Sequence, residues 1–410
     1  MNIGFIGIGK LGMACAEVMA TQHTVTGYDI YPKTNDKIRI SDNLRGAVTG
    51  QDIIFIAVQT PHDSRYGGAE PIAHLPNVDF DYTTVETVLE EVNAWAGPEQ
   101  LVVLISTVLP GTVRERLRPR ITNARFVYNP YLIAMGSVAW DMINPEMVII
   151  GTEDGSVTGD AQELIDFYKP LMENNPRYEV GTWDEAECIK VFYNTFISAK
   201  LGLVNMIQDV AIKQGNINVD VVTSALAKSS MRIMGPKYMT AGLGDAGPCH
   251  PRDNIALRFL AEKLDLQYDL FDAIMHAREI QAKNMAKYLA MESQVNGKLP
   301  VWIHGKAYKP GVAYLEGSYS ILVGHFLEHA FGITPMYIDP LTEQSVPKSV
   351  RGVVLLAHNR QVTYGYAGEQ KEQELYCTIE ADSVIIDPWR VYSTDNANIK
   401  VIHYGNTRIH

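Results

Sequence analysis

Two groups of residues have the types and spacing that chemistry needs. The first surrounds Cys249, in Gly242-Leu243-Gly244-Asp245-Ala246-Gly247-Pro248-Cys249-His250-Pro251-Arg252-Asp253, a glycine-rich loop leading into a helical pattern. A thiol at a helix start meets the positive end of the backbone dipole, and Arg252 adds a cation nearby. Both favour the thiolate, the nucleophilic form. The second group is Gly7-x-Gly9-x-x-Gly12, which follows a short apolar strand and opens a helix. Glycines spaced this way make a tight turn, let a pyrophosphate approach the backbone, and let helix pack on strand. Asp29 stands about 20 residues further on, at the tip of the next strand, where a carboxylate accepts hydrogen bonds from both ribose hydroxyls of an adenosine. An acid there repels a 2′-phosphate and no arginine follows it closely, so NAD is favoured over NADP.

Lys190 and Asn194 lie four apart in a helical stretch, hence on one face; taken alone, a lysine and an amide so placed read as a solvated surface. The other three of the four cysteines, Cys15, Cys188 and Cys377, fall in helical or strand-like runs and read as packing residues. With no C-x-x-C pair, neither a metal site nor a disulfide framework is expected. The formal net charge of -12 excludes a general nucleic-acid binder, and any anionic ligand must be held by local donors. No apolar run reaches the roughly 18 residues of a membrane span, and no basic n-region precedes the first strand, so the expected compartment is the cytoplasm.

These residues need elements to hold them. At 410 residues, with 46% hydrophobic and 20% charged residues, two or three globular domains are expected. Apolar, β-branched-rich segments at 2–6, 24–29, 52–58, 101–105, 126–128 and 147–150 alternate with helical or mixed stretches, which implies an α/β fold with a doubly wound parallel sheet. From Asp184 the pattern is helical for some thirty residues, to Gly215, with acids in its first turn. Helical stretches at about 219–227 and 254–290 make the middle third mostly α. Strand patterns at 300–304, 336–339, 352–356, 384–387 and 400–403 close the chain with a second, smaller α/β sheet.

Further motifs stand in order along nearly the whole chain: Val58-Gln59-Thr60-Pro61, Ser106-Thr107-Val108-Leu109-Pro110-Gly111-Thr112, Asn129-Pro130 with Asn144-Pro145 and Ile149-Ile150-Gly151, Ala186-Glu187-Cys188-Ile189-Lys190 with Asn194, Lys200 and Asn205, Gly305-Lys306-Ala307-Tyr308-Lys309-Pro310, and Asp339-Pro340. With the N-terminal glycines and the Cys249 loop, they make the sequence resemble the UDP-glucose/GDP-mannose dehydrogenase family of nucleotide-sugar 6-dehydrogenases. The resemblance implies an NAD-binding Rossmann-type domain over 1–183, a central helical dimerisation layer with a long connecting helix over 184–298, and a C-terminal Rossmann-like nucleotide-sugar domain over 299–410. It assigns cofactor binding to Gly7, Gly9, Lys10, Leu11, Gly12, Asp29, Val58, Thr60, Pro61, Ser106 and Thr107.

By the same resemblance, a primary alcohol, on a UDP-hexose such as UDP-glucose or a relative, is oxidised first to an aldehyde, with Asp253, Lys190 and a water handling the proton. Cys249 then adds to the aldehyde, and a second oxidation gives a thioester that water releases as the acid. Lys190 and Asn194 would stabilise the oxyanion, and Thr107 joins the catalytic set. Substrate contacts fall on Tyr131, Leu132, Ile133, Lys190, Asn194, Tyr238, Gly242, Gly244, Lys309 and Arg390, with Arg232 reaching across a homodimer. The sequence departs from the family where two glutamates usually follow Asn-Pro, since Tyr131 and Met135 stand there and neither serves as a base at neutral pH. Either another group activates water, or the thioester is released slowly or passed on. Two other readings remain: a β-hydroxyacid dehydrogenase relative, which needs neither Cys249 nor a third domain, and a hydrolysis-impaired nucleotide-sugar-binding homologue.

Overall fold

The computed structural model describes residues 1–61, 76, 78–134, 136–231, 233–235, 241–245, 249–359, 363–364, 370–371 and 375–406; at Cys249, His250, Arg252 and Asp253 it describes the backbone. Met135, Arg232, Tyr238 and Ala246 lie outside the described residues. The chain packs as two units, Met1–Lys200 and Leu201–His410.

The first unit runs β1 (Asn2–Ile6), α1 (Gly12–Met19), β2 (Thr24–Tyr28), β3 (Arg39–Ile40), α2 (Leu44–Val48), β4 (Ile53–Ile56), α3 (Thr83–Trp95), β5 (Leu101–Leu104), β6 (Arg125–Tyr128), α4 (Val138–Ile143), β7 (Met147–Thr152), α5 (Asp160–Tyr168) and β8 (Arg177–Thr182). Its eight strands are ordered β3-β2-β1-β4-β5-β6-β7-β8. All neighbours are parallel except β6 and β7, which meet antiparallel at Tyr128 and Gly151. A sheet covered on both faces needs strands that are apolar throughout, and β4 and β5 are wholly buried. Alternate residues feed two cores: Phe5, Phe55 and Val103 on one face, Ile6, Ile54, Ile56 and Leu104 on the other. The strand order reverses between β1 and β4, so the crevice beyond their carboxyl ends is the switch point where such sheets bind ligands.

A helix, α6 (Trp183–Gln214), follows β8 and carries the chain out of the first unit. The second unit continues with α7 (Val219–Ala227), α8 (Cys249–Lys263), α9 (Leu270–Val295), β9 (Val301–His304), α10 (Tyr319–Phe331), β10 (Met336–Ile338), β11 (Ser349–Val350), β12 (Val353–Leu356), β13 (Thr363–Tyr364), β14 (Gln370–Lys371), β15 (Thr378–Ile379), β16 (Val384–Asp387) and β17 (Lys400–His403). Its parallel sheet has the order β10-β9-β12-β16-β17, with β11·β15 and β13·β14 as separate pairs. The single helical stretch expected over 254–290 is two helices. Asp265 and Gln267 have φ of 51° and 67°, which stops α8, and the Asp269 carboxylate accepts from the N–H groups of Phe271 and Asp272, which starts α9. Among the described residues no helix is long and apolar enough to cross a membrane.

Candidate active site

The glycine turn after β1 is built as dinucleotide chemistry requires. Gly7 has φ +94°, and a Cβ there would lie 2.7 Å from the Ala57 carbonyl oxygen, so only glycine fits between the ends of β1 and β4. A Cβ on Gly12 would lie 2.0 Å from the Gly7 oxygen, which lets α1 sit close on the turn. Gly9 has nothing within 4 Å of its Cβ position, so space is open at the middle of the turn. No side chain caps the start of α1 at Leu11, leaving backbone donors for a pyrophosphate, and Lys10 beside it is exposed. Asp29 follows β2 directly; its Oδ1 accepts from the Tyr31 N–H at 3.0 Å. This turn, donor set and acid fit NAD.

The loops after β4 and β5 are stapled to each other. Ser106 Oγ donates to the Val58 carbonyl at 2.5 Å, and Thr60 Oγ1 donates to the Thr107 carbonyl at 2.8 Å. The Pro61 carbonyl accepts from the Asp81 N–H at 2.9 Å, fixing the end of the first loop. Val58, Thr60, Pro61, Ser106 and Thr107 therefore form one wall at the carboxyl edge of the sheet.

The loop after β6 meets α6 at the same edge. Lys190 Nζ donates to the Tyr131 carbonyl at 2.7 Å, and burial lowers the pKa of its ammonium from the ordinary lysine value. Asn194, one turn on, is exposed. The Tyr131 side chain turns inward: its hydroxyl is 2.6 Å from that of Tyr168, which donates to Asn129 Oδ1 at 2.5 Å, while Asn129 Nδ2 donates to the Ile149 carbonyl at 2.6 Å. Burial, with the Tyr168 hydroxyl next to it, pushes the Tyr131 pKa well above the ordinary phenol value. Position 131 thus presents a carbonyl to Lys190 and no base. Leu132 and Ile133 pack against the two cores of the sheet.

Sequence reasoning missed Glu187. It is fully buried, accepting from the Gly111 N–H at 2.6 Å and the Val113 N–H at 2.7 Å, and desolvation lifts its pKa to about 7. The available signal was a carboxylate set between Ala186 and Cys188 and followed by Ile189 in a helical stretch.

In the second unit, Cys249 is the first residue of α8, and Asp253 lies one turn later on the same helix. Residues 241–245, earlier in the chain, are clamped. A Cβ on Gly242 would lie 2.1 Å from the Trp389 ring, and one on Gly244 would lie 2.2 Å from the Tyr319 ring, so both glycines have a packing reason. Asp245 pairs with Arg278 Nε at 2.5 Å, and Tyr319 donates to the Arg278 carbonyl at 3.0 Å. Arg390 is occupied by backbone: Nη2 donates to the Ala241 carbonyl at 2.7 Å and Nη1 to that of Tyr404 at 3.1 Å. Lys309 is exposed, its Nζ 5.2 Å from the Tyr308 ring centre. The turn beneath it is fixed by buried Asp339, which accepts from the N–H groups of Lys306 and Ala307, both at 2.9 Å. Cys15 is 1% exposed and burial pushes its thiol up to about 12, so it is inert. Cys188 and Cys377 are half-buried, with thiols raised chiefly by burial. Among the described residues no three metal-ligating side chains gather.

Residues 33–172 match the model for the UDP-glucose/GDP-mannose dehydrogenase family NAD binding domain, and residues 184–279 match that family's central domain, together more than half of the chain. A UDP-glucose 6-dehydrogenase of Rhizobium meliloti (strain 1021) is 29% identical over 325 residues, covering 77% of this chain and 70% of the relative. The UDP-glucose 6-dehydrogenase AglM of Haloferax volcanii is 29% identical over 383 residues, covering 84% and 85%. The GDP-mannose dehydrogenase structure from Pseudomonas aeruginosa has a TM-score of 0.75 at 20% identity, covering 98% of this chain and 99% of that one, a likeness of fold.

Proposed function

As the chain belongs to the UDP-glucose/GDP-mannose dehydrogenase family and is an NAD-dependent oxidoreductase of the nucleotide-sugar class, we propose that it oxidises C6 of a UDP-hexose, UDP-glucose or a relative, to the uronic acid. The observation that carries this is Lys190, a desolvated lysine held at the edge where the stapled 58–61 and 106–107 loops and the glycine turn meet. Gly7, Gly9, Lys10, Leu11, Gly12 and Asp29 would hold the cofactor. Bound NAD+ supplies a two-electron hydride acceptor.

Lys190, its pKa lowered by burial, would take the hydroxyl proton through water with Asp253 while the C6 hydride leaves to that acceptor, which gives the aldehyde. Cys249 Sγ then adds to the aldehyde carbon: a C–S bond forms, the carbonyl π bond breaks, and Lys190 and Asn194 hold the resulting oxyanion. Loss of the second hydride leaves a thioester, and water cleaves its C–S bond to give the acid and return the thiolate. Tyr131 offers no base for that cleavage, so either another group activates the water or the thioester is released slowly or passed on. Lys309 and Arg232, the latter from a second copy, would meet the diphosphate, with Tyr238, Gly242, Gly244 and Arg390 around the sugar. The exposed apolar side chains of α6 to α8 support a homodimer, and we place the enzyme in the cytoplasm.

The test is NADH formation against UDP-glucose, UDP-N-acetylhexosamines, GDP-mannose and free hydroxyacids, with intact-mass detection during turnover. Two NADH per sugar and a transient acyl adduct on Cys249, lost in Cys249→Ser, are expected. Activity confined to a free hydroxyacid, or silence throughout, would overturn the proposal.

A further inference from the structure

Helix α6 touches the loops of the carboxyl edge through one face. Glu187, Lys190 and Asn194 are spaced i, i+3 and i+7, which aligns them along that face. Lys190 holds the loop after β6 through the Tyr131 carbonyl, and Glu187 holds the loop after β5 through the Gly111 and Val113 amides. We propose that Glu187 is a positioning residue of the oxidation site, its carboxylate holding the 106–113 loop, with Thr107, in register with the α6 face that carries Lys190 and Asn194. The proposal rests on the reading of Thr107 and Lys190 as site residues.

The chemistry of the contact requires a carboxylate. Gly111, with φ +91°, turns its N–H toward the same acceptor as that of Val113, the first residue of a π-helical turn, Val113–Leu117. The two donors reach different oxygens of one side chain, Gly111 to Oε2 and Val113 to Oε1, and a carboxylate presents both as acceptors. A neutral acid or an amide offers one good acceptor and sets a donor against the other N–H. The neighbouring tie between these segments, Arg114 with Asp184 at 3.0 Å, is partly exposed and contributes little. Other anchors of the loop, Ser106 to Val58, Thr60 to Thr107, and the Leu109 N–H to the Tyr82 hydroxyl at 3.3 Å, hold it to the loop after β4 and the start of α3 and not to α6.

The grip depends on charge at neutral pH. Burial raises the Glu187 pKa to about 7; the Val113 and Gly111 amides oppose that rise, Asp184 adds to it and Arg114 opposes it. The Tyr128 hydroxyl and the Cys188 thiol also feel its charge. The carboxylate is restored, and the loop gripped, as pH rises through about 7.

The decisive variant is Glu187→Gln in the full chain, which mimics the protonated state. At pH 8.5 its kcat should fall about ten- to hundredfold, the scale of a lost charged hydrogen bond. The wild-type rise in kcat through pH 7 should be absent in E187Q, and amide hydrogen exchange at Gly111 and Val113 should accelerate. Glu187→Asp, which keeps both acceptors on a shorter arm, should retain the pH-dependent rise at a reduced rate, and it serves if E187Q does not fold. A variant with wild-type kcat and the wild-type pH profile overturns the proposal. Should the wild-type enzyme oxidise no nucleotide sugar, the functional reading fails separately. Exchange at Gly111 and Val113 then still decides whether Glu187 holds the loop, and unchanged exchange overturns it.

Discussion

Asp29 is the residue whose chemistry is simplest to isolate. It follows β2 directly, and one of its oxygens already accepts from the Tyr31 N–H, which fixes the carboxylate in place. A hydrogen bond from a ribose hydroxyl to a charged acceptor contributes about 1.5–3 kcal/mol. Asp29→Ala should therefore raise KM for NAD+ by about ten- to a hundredfold, leave kcat at saturation close to wild type, and narrow the preference over NADP+; steady-state kinetics with both cofactors measures it. The glycine turn and the place of Asp29 at the end of β2 were legible in the sequence because their partners are local: one turn, two strands and the start of one helix. Glu187 was not, because the amides it serves belong to Gly111 and Val113, 76 and 74 residues away, and backbone donors leave no mark on residue type. Tyr131 was half legible. The loss of a carboxylate there is plain in the sequence, but the inward turn of its hydroxyl depends on Tyr168 and Asn129, which only the folded sheet brings together.

At the scale of elements, the strands were readable because a sheet covered on both faces demands unbroken apolar runs, and the loops they end in carry the motifs. The helical middle was harder. Apolar periodicity continues across 264–269, so 254–290 reads as one helix, whereas positive φ at Asp265 and Gln267 breaks it; the Asp269 cap was the signal to weigh. The same scale explains the glycines before α8. The resemblance makes Gly242 and Gly244 substrate contacts, and the rings of Trp389 and Tyr319 occupy the places where their Cβ atoms would go. Because Asp245 is also held by Arg278, residues 242–245 form a clamped segment. Gly244→Ala must displace the Tyr319 ring or the loop, at a cost of about 1–3 kcal/mol for overpacking. It should lower the thermal midpoint and slow alkylation of Cys249 and sugar oxidation together, while NAD+ affinity, set by residues of the first unit, is unchanged. Unaltered stability and Cys249 reactivity in G244A would show that the loop is free to move aside.

The whole chain carries a net charge of -12, so its affinity for an anionic nucleotide sugar has to come from a few local cations, and one of those proposed, Arg232, belongs to a second copy. Surface exposure bears on that assembly. On α6, Phe196 is 57% exposed and Ile212 79%; on α7, Val221 is 65%; on α8, Phe259 is 65%. Single exposed apolar residues are ordinary, but large ones recurring on three successive helices are what a partner subunit covers. An obligate homodimer interface buries roughly 2,000 Å² or more and is rich in such side chains. Light scattering at micromolar concentration should therefore give twice the chain mass. Replacing Ile212 and Phe259 together by aspartate places charges where burial would be needed, and should yield monomers. Because the glycine turn and Asp29 lie wholly within one chain, these monomers should bind NAD+ as wild type does. If Arg232 works across the interface, their KM for the nucleotide sugar should rise by tenfold or more. Monomers with unchanged sugar KM would place the whole substrate site within one subunit, and a wild-type chain that scatters as a monomer would remove the shared site altogether.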